Sequence, residues 1–389
     1  MTRVFITGGA VHTYLDAVKT VTNRFKGGRM AALADFLSRQ PQIEVTYLTA
    51  NGMAEPLDAK RVLHHDGFGE YMDIVLREAK KHDVVILGAA VANLIPDQTL
   101  RKAGQKFPSH DYAVGDKISI EFEIAPRVID MVKRENKRVT LIGYKLLGDV
   151  SREELIHAAR GIVNSSGSAV VFGNRVPELD IKDVVTKEGG VVRLVGEPQY
   201  NEFVRELCMD EYYTTEAQTG EDHRKEWDGL GDLQKAALGY FMNYTVNNRD
   251  LLMGGKDEER GIILGCVAAK VPASDAFFIS PRGKTDPDQF TFVNSVRHED
   301  RVVVVPEDED SMKASLNAPL IDSIFRHSQD IIGVVHWHEE DGPGTSIVYP
   351  YAPPGTVRDS WRPDLLLAIS TGLDTFTIQG HGHFTLVRV

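Results

Sequence analysis

A chain of 389 residues with 42% hydrophobic and 26% charged residues has the composition of a folded globular protein, and is too long for one ordinary core. Its formal net charge of −12 argues against a general nucleic-acid or anionic-membrane surface, so any phosphate site has to be locally basic. The longest apolar run, around Val84 to Val91, is too short to span a bilayer, and Cys208 and Cys266 supply neither a disulfide framework nor a CxxC zinc site.

The chain begins MTRVFITGGA, a strand running straight into a glycine turn, which leaves no room for a signal peptide and predicts a cytoplasmic protein. Short β-branched runs then alternate with helical patterns. Strands are expected at Val4 to Thr7, Glu44 to Leu48, Val84 to Leu87, Arg138 to Gly143, Ser168 to Phe172, Asp183 to Thr186 and Val191 to Leu194. Helices are expected near Arg29 to Arg39, Tyr71 to Lys81, Ala125 to Arg134, Arg152 to Val163 and Glu197 to Leu207. Such alternation implies a parallel, Rossmann-like α/β sheet with right-handed crossovers, whose ligands collect at the carboxyl ends of the strands.

From Thr214 to Gly231 the chain turns polar and glycine-dotted without apolar periodicity, the pattern of an interdomain linker. The expected division is therefore 1–213, a linker at 214–231, and 232–389. After the linker come a helix near Leu233 to Asn247 and strands at Gly261 to Lys270, Ala276 to Ile279, Phe290 to Asn294 and Arg301 to Val305. A helix near Ala314 to His327, the strand Ile331 to His338 and closing strands at Thr375 to Gln379 and His383 to Val389 complete an α+β unit. The acidic run Glu307 to Asp310 reads as a solvated turn before a helix.

Two places carry chemistry. Gly8 and Gly9 follow the first strand, where glycines let backbone amides approach a phosphate, although the GxGxxG spacing is missing and a structural turn accounts for them equally well. His336 and His338 stand two apart after an apolar run, so on a strand both point the same way. Neutral imidazoles suit zinc and other late first-row ions, and a third histidine from elsewhere leaves one coordination position for water or substrate. The alternative is a strand end whose histidines are merely solvated.

FITGGAVHTYLDAVKTVTNRFKGGRM, ILGAAVANLIP, DKISIEF, APRVIDMVK and LIGYKLL occur in this order, and over roughly residues 1 to 213 the set resembles the phosphopantothenate–cysteine ligase family. The resemblance implies activation of a carboxylate by CTP or ATP, with Mg, as an acyl-nucleotide that an amine then attacks. It places Gly8, Gly9 and Ala10 at the nucleotide, Ala89, Ala90, Asn93 and Pro126 near base and ribose, Asn23 at the acyl intermediate and Lys117 on the phosphates. Three departures stand out: Asn93 replaces the family's acidic residue, the turn reads GGA instead of GGT, and residues 161–166 contain no lysine where the bacterial family has them.

ISPRGK, VVHWH, YAPPGTVRDS and QGHGHF, across about Leu233 to Val389, resemble the class II aldolase/adducin family. That likeness implies a divalent metal, zinc by ligand type, on His336, His338 and His381, with His383 as substitute in a shifted register. It puts Ser280, Arg282, Gly283 and Lys284 on a substrate phosphate or carboxylate. Asn317 falls where the family's catalytic Glu is expected, also at the substrate, and leaves Glu339 or Glu340 as the candidate proton shuttle, or as supporting partners of the histidines. The combined expectation is a bifunctional, homo-oligomeric metabolic enzyme whose partners are small-molecule substrates and a nucleoside triphosphate. The alternatives are a metal-dependent lyase, epimerase or dehydratase on a degenerate ligase scaffold, or a non-enzymatic oligomerisation module.

Overall fold

The βαβ alternation of the first half folds, in the computed structural model, into an eight-stranded sheet. The structure describes residues 1–96, 106, 112–218, 231–258, 260–306, 313–338 and 347–389. These divide into two units, Met1–Lys187 with Arg193–Met209, and Glu188–Val192 with Asp210–Val389.

In sheet order the strands of the first unit are Val191–Val195, Ile181–Thr186, Val170–Arg175, Thr140–Leu147, Val84–Leu87, Thr2–Thr7, Ile43–Ala50 and Arg61–His65. From Val170–Arg175 to Arg61–His65 the pairing is parallel throughout, and Ile181–Thr186 joins antiparallel. The chain lays down Thr2–Thr7 first, adds two strands on one side, then crosses to add Val84–Leu87 on the other. That reversal leaves a crevice beyond the carboxyl ends of Thr2–Thr7 and Val84–Leu87, where an open α/β sheet takes its ligands.

Phe68–Ala79 and Ile129–Glu135 bury an apolar stripe against Phe5, Val85 and Leu141. Gly28–Ser38 and Gly196–Met209 pack together and against Thr2–Thr7. Arg61–His65, not expected from the sequence, is an edge strand whose mostly accessible residues carry no apolar alternation.

The second unit centres on a seven-stranded sheet ordered Thr291–Val293, Phe277–Ile279, Cys266–Lys270, Ile331–Trp337, Gly382–Arg388, Thr375–Ile378 and Val348–Tyr349. Its pairing is antiparallel except between the last two strands. Alternate residues serve two cores: Val334 packs with Ile279, Phe384 and the helix Ala318–His327, whereas Val335 and Trp337 pack with Phe278 and the helix Asp232–Asn247. Helices therefore cover both faces of an antiparallel sheet.

The expected linker is corrected at its start. Thr214–Gln218 forms an edge strand paired in parallel with Val302–Pro306, in a three-stranded sheet of the second unit. Every residue of this strand is exposed, so no apolar period announces it; besides the backbone pairing, Glu216 and Gln218 accept from Arg297 and Asn294. Residues 219–230, and the acidic run at 307–310, lie outside the described residues. Among the described residues no helix is long and apolar enough to cross a membrane.

Candidate functional site

At the crevice of the first unit, Thr7 Oγ1 accepts from the amide of Ala89 at 3.2 Å, and Ala90 N–H donates to Gly9 O at 2.9 Å, so the two strand-end turns are tied to each other. Asn23 joins them by donating its amide to Ala90 O at 3.0 Å. Gly27 then starts the helix Gly28–Ser38 in the left-handed region at φ 85°; a Cβ there would stand 2.4 Å from Gly9 N. Only glycine allows this approach. The helix has no side-chain cap and no acidic residue in its first turn, leaving the positive end of its dipole unneutralised.

These turns open on a cavity of about 800 Å³. Arg24, Lys26, Arg29, Lys145 and Lys182 line it against Asp180 and Glu197, so the cavity is locally basic in a chain of formal charge −12. Arg29 is partly committed, pairing with Asp180 Oδ1 at 2.5 Å and donating to Leu179 O.

Of the residues singled out in the sequence, Gly9, Asn23, Ala89 and Ala90 line the cavity. Gly8 lies behind it, packed so closely that a Cβ would stand 2.0 Å from the Tyr47 hydroxyl oxygen. Ala10 is buried in a short strand pairing with Ala90. Asn93 contributes a backbone carbonyl to Ala125 N–H; Pro126 and Lys117 are exposed, and none of the three lines the cavity. The sequence reading missed Arg29, Tyr144, Lys145, Lys182 and Tyr200, which arrive from strands and helices far apart in the chain. Arg29 and Lys182 are second in their elements, whereas Tyr144, Lys145 and Tyr200 lie inside theirs, so position along the chain gave no common signal.

In the second unit His336 and His338 leave the central strand on one face, and His381 comes from the turn before Gly382–Arg388. The ring centroids of His336 stand 4.7 Å from those of His338 and 4.9 Å from those of His381, with His338 and His381 6.1 Å apart. A Cβ on Gly382 would come 2.7 Å from His336 Cε1, so the glycine after His381 makes room for the ring. His336 stacks on Phe384 at 4.1 Å and donates Nδ1–H to His383 O at 2.9 Å. A carbonyl can only accept, which fixes the tautomer and leaves the Nε2 lone pair free. That Nε2 is buried without a partner, as is His381 Nδ1.

Burial holds all three imidazoles well below the ordinary histidine pKa, and hence neutral, the state in which they can coordinate. His381 Nδ1 lies 3.8 Å from Asp359 Oδ1, a carboxylate held by Arg362 at 2.8 Å and pushed up to about 6 by burial. Among the described residues no set of three His, Cys, Asp or Glu already closes to coordination geometry. The orphaned nitrogens are nevertheless the donor set a late first-row ion takes. His383 turns to the opposite face, where it bonds Thr377 Oγ1 at 2.8 Å and stacks on Trp337.

Two members of the expected phosphate loop face inward. Ser280 is fully buried, its Oγ accepting from Val267 N–H at 2.9 Å. Lys284 is 2% exposed; its ammonium donates to Ile263 O at 3.0 Å and to Gly265 O, and burial holds it down to about 8. Only Arg282 and Gly283 are exposed. Asn317 is buried with Nδ2 3.5 Å from Cys266 Sγ and Oδ1 unpartnered; Cys266 pairs directly opposite His336 in the sheet. Glu339 and Glu340 lie outside the described residues.

Residues 1–199 match the family described as DNA/pantothenate metabolism flavoprotein C-terminal domain. The Coenzyme A biosynthesis bifunctional protein CoaBC of Thermococcus kodakarensis is 32% identical over 174 residues, which are 44% of this chain and 41% of the relative. The chain thus spans about two fifths of that relative's length. The crystal structure of the DNA/pantothenate metabolism flavoprotein from Streptococcus pneumoniae shares 18% identity at a TM-score of 0.47, covering 54% of this chain and 99% of that one. An aldolase II superfamily protein from Pseudomonas syringae shares 14% identity at a TM-score of 0.30, covering 41% of this chain and 68% of that one. Both scores fall below 0.5, so the fold rests on the topology described above.

Proposed function

Because the chain belongs to the family of the DNA/pantothenate metabolism flavoprotein C-terminal domain, matched over residues 1–199, we propose that its first unit binds a nucleoside triphosphate, ATP or CTP with Mg, and uses it to join a carboxylate to an amine. In this reading the carboxylate attacks the α-phosphorus, pyrophosphate leaves, and the amine displaces the nucleoside monophosphate from the acyl group. The observation that carries the reading is the basic cavity at the sheet's reversal point, where Gly9, the uncapped helix at Gly28 and Arg24, Lys26 and Lys145 converge on space for a phosphate chain.

The chain's own residues have separable tasks. Backbone amides and cations there hold negative charge as it grows on the phosphoryl oxygens. Asn23, fixed by Ala90 O, can turn its free amide hydrogen or its oxygen toward an acyl-phosphate without rotamer cost. The test is calorimetric titration of ATP and CTP, with and without Mg²⁺. Binding of at least one, accompanied by pyrophosphate release once a carboxylate and an amine are supplied, supports the reading; failure of both nucleotides to bind at millimolar concentration overturns it.

For the second unit we propose a divalent metal, zinc by ligand type, on His336, His338 and His381, in a class II aldolase-like setting. The unpartnered His336 Nε2 and His381 Nδ1 are the observations that support it. A bound ion there would supply Lewis acidity toward a substrate oxygen. Around it, His383 O fixes one ring, Asp359 Oδ1 lies 3.8 Å from His381 Nδ1 on the donor side, and Asn317 offers an amide that can hydrogen-bond but not shuttle a proton. The reading therefore favours lyase, epimerase or dehydratase chemistry with a different acid–base group over ordinary sugar-phosphate aldol cleavage.

A further inference from the structure

Sheet order separates the first unit's cavity into two ends. Thr2–Thr7, which delivers Gly9, and Ile181–Thr186, which delivers Lys182, are four strand spacings apart, roughly 19 Å. Because Ile181–Thr186 runs antiparallel to its neighbour, its amino end is the one that reaches the crevice side. Lys182 is thereby placed far from the glycine turn yet still lines the same cavity.

Its surroundings are unusual for a lysine. Lys182 is 7% exposed and makes one hydrogen bond, to Leu179 O at 3.2 Å, with its ammonium 4.8 Å from the centroid of the Tyr200 ring. Among the described residues no carboxylate stands within ion-pair distance: Asp180 is taken by Arg29 and Asp183 by Arg152. An ammonium largely out of water is costly even with the carboxylates of Asp180 and Glu197 attracting it from beyond ion-pair distance, and the desolvation, with the Arg29 charge, holds Lys182 down to about 8.

Beside it the hydroxyls of Tyr144 and Tyr200 are 2.5 Å apart. One hydrogen bond between them consumes one of their two protons and leaves the other to be donated. Phe172 stacks on Tyr144 at 5.1 Å and meets the edge of Tyr200 at 5.2 Å, so neither ring can swing away cheaply. A buried cation and a fixed hydroxyl donor facing the same space are complementary to an oxyanion.

We propose that Lys182, with the Tyr144–Tyr200 hydroxyl pair, forms a second oxyanion subsite for the carboxylate or phosphoryl group of a co-substrate, separate from the subsite for the nucleotide phosphates. The assignment rests on the nucleotide reading of the cavity for its substrate class, but the anion site itself does not.

The test is calorimetric titration of the full chain with sodium acetate and with inorganic phosphate, each alone and in the presence of saturating ATP or CTP. Binding of one probe with nucleotide already bound is expected, and which probe binds tells carboxylate from phosphoryl recognition. Lys182→Met should weaken that probe by roughly tenfold or more, the loss of one charge-assisted hydrogen bond, while ATP or CTP weakens less than about threefold. Lys182→Arg should retain more of the affinity than Lys182→Met. No probe binding to the parent protein, strict competition with nucleotide, or equal loss of probe and nucleotide in Lys182→Met overturns the second subsite. If Lys182→Met fails to fold, Tyr144→Phe read against the same probes decides, since it removes a donor and keeps the ring; unchanged probe affinity there counts against the assignment. Should neither nucleotide bind while a probe still does, the nucleotide reading fails and the anion subsite stands.

Discussion

The two units place their polar groups by different rules. In the first, the groups facing the cavity come from turns and a helix start together with the strands Thr140–Leu147 and Ile181–Thr186, and several of them are charged. In the second, two histidines sit on or immediately after the central strand and a third in the turn before its neighbour, and burial keeps all three imidazoles neutral. Loop-built sites can gather cations because water and ligand screen them. A strand-built site inside a sheet tolerates only groups that can shed their charge, which imidazole does.

Acid should separate the units most strongly. In chelated protein His336, His338 and His381 have folded pKa values well below that of an unfolded histidine, chiefly through burial. Below about pH 6.5 the unfolded chain therefore binds more protons, and stability falls with pH from there down to the folded values. The first unit has a smaller version of the same effect in His65, pushed down to about 4 by burial with neither ring nitrogen partnered, which accounts for up to about 3 kcal/mol lost between pH 6.5 and 4. Hydrogen exchange followed by mass spectrometry across this range is expected to show amides of the second unit opening first. Earlier opening of the first unit would reverse the comparison.

Next in size is His336→Ala. Losing a direct ligand should weaken zinc binding by more than about 100-fold, beyond the usual cost of removing a ligand's supporting partner. Metal content after dialysis and competition with a chelator measure it, and ATP or CTP binding to the first unit reports that the rest of the chain is intact. Retention of one equivalent of zinc in the variant sinks the three-histidine site.

How far each site could be read beforehand follows from the same contrast. The same-face placement of His336 and His338 needs only the two-residue period of a strand and was visible in VVHWH, whereas His381 entered only through the resemblance that QGHGHF carries. Parity does not decide between His381 and His383, which are two apart; the turn at Gly380–Gly382 does, while His383 pairs opposite Trp337 and shares its face. Lys182 could not be found this way: its access to the cavity depends on an antiparallel strand and on which strands lie between it and Gly9. Thr214–Gln218 was missed for a related reason, since an exposed edge strand held by backbone pairing and polar side-chain contacts leaves no apolar trace. That Ser280 and Lys284 bond the backbone of Val267, Ile263 and Gly265 was not legible in the Ser-Pro-Arg-Gly-Lys run, although the Lys284 charge does act on His336 and His338.

A glycine pair inside the first site gives a smaller effect with opposite signs. Gly27→Ala forces a side chain into a left-handed backbone and against Gly9 N, costing roughly 1–3 kcal/mol and weakening any ligand held at that turn. Gly28→Ala, one residue on, meets open space and adds a helix former, so it should be neutral or stabilising by up to about 1 kcal/mol. Denaturant unfolding of both variants measures the difference. Equal destabilisation would mean that the approach of Gly27 to Gly9 does not constrain the turn.

The smallest expected effect belongs to Lys117, and it sets the resemblance of the sequence against the geometry of the cavity. The DKISIEF motif assigns Lys117 to the nucleotide phosphates, but the side chain is exposed and does not line the cavity, whereas Arg24, Lys26 and Lys145 do. An exposed lysine outside the site acts only through screened, long-range attraction, which at physiological salt fades within about 8 Å. Lys117→Ala should therefore change ATP or CTP affinity by less than about threefold, and Lys145→Ala by roughly tenfold through loss of a direct phosphate contact. Titrating both variants with triphosphate and with the parent nucleoside separates phosphate contacts from base contacts. If Lys117→Ala instead loses triphosphate affinity selectively, the segment around it closes over the nucleotide on binding, and the family motif reports a ligand-bound geometry that the cavity walls alone do not contain.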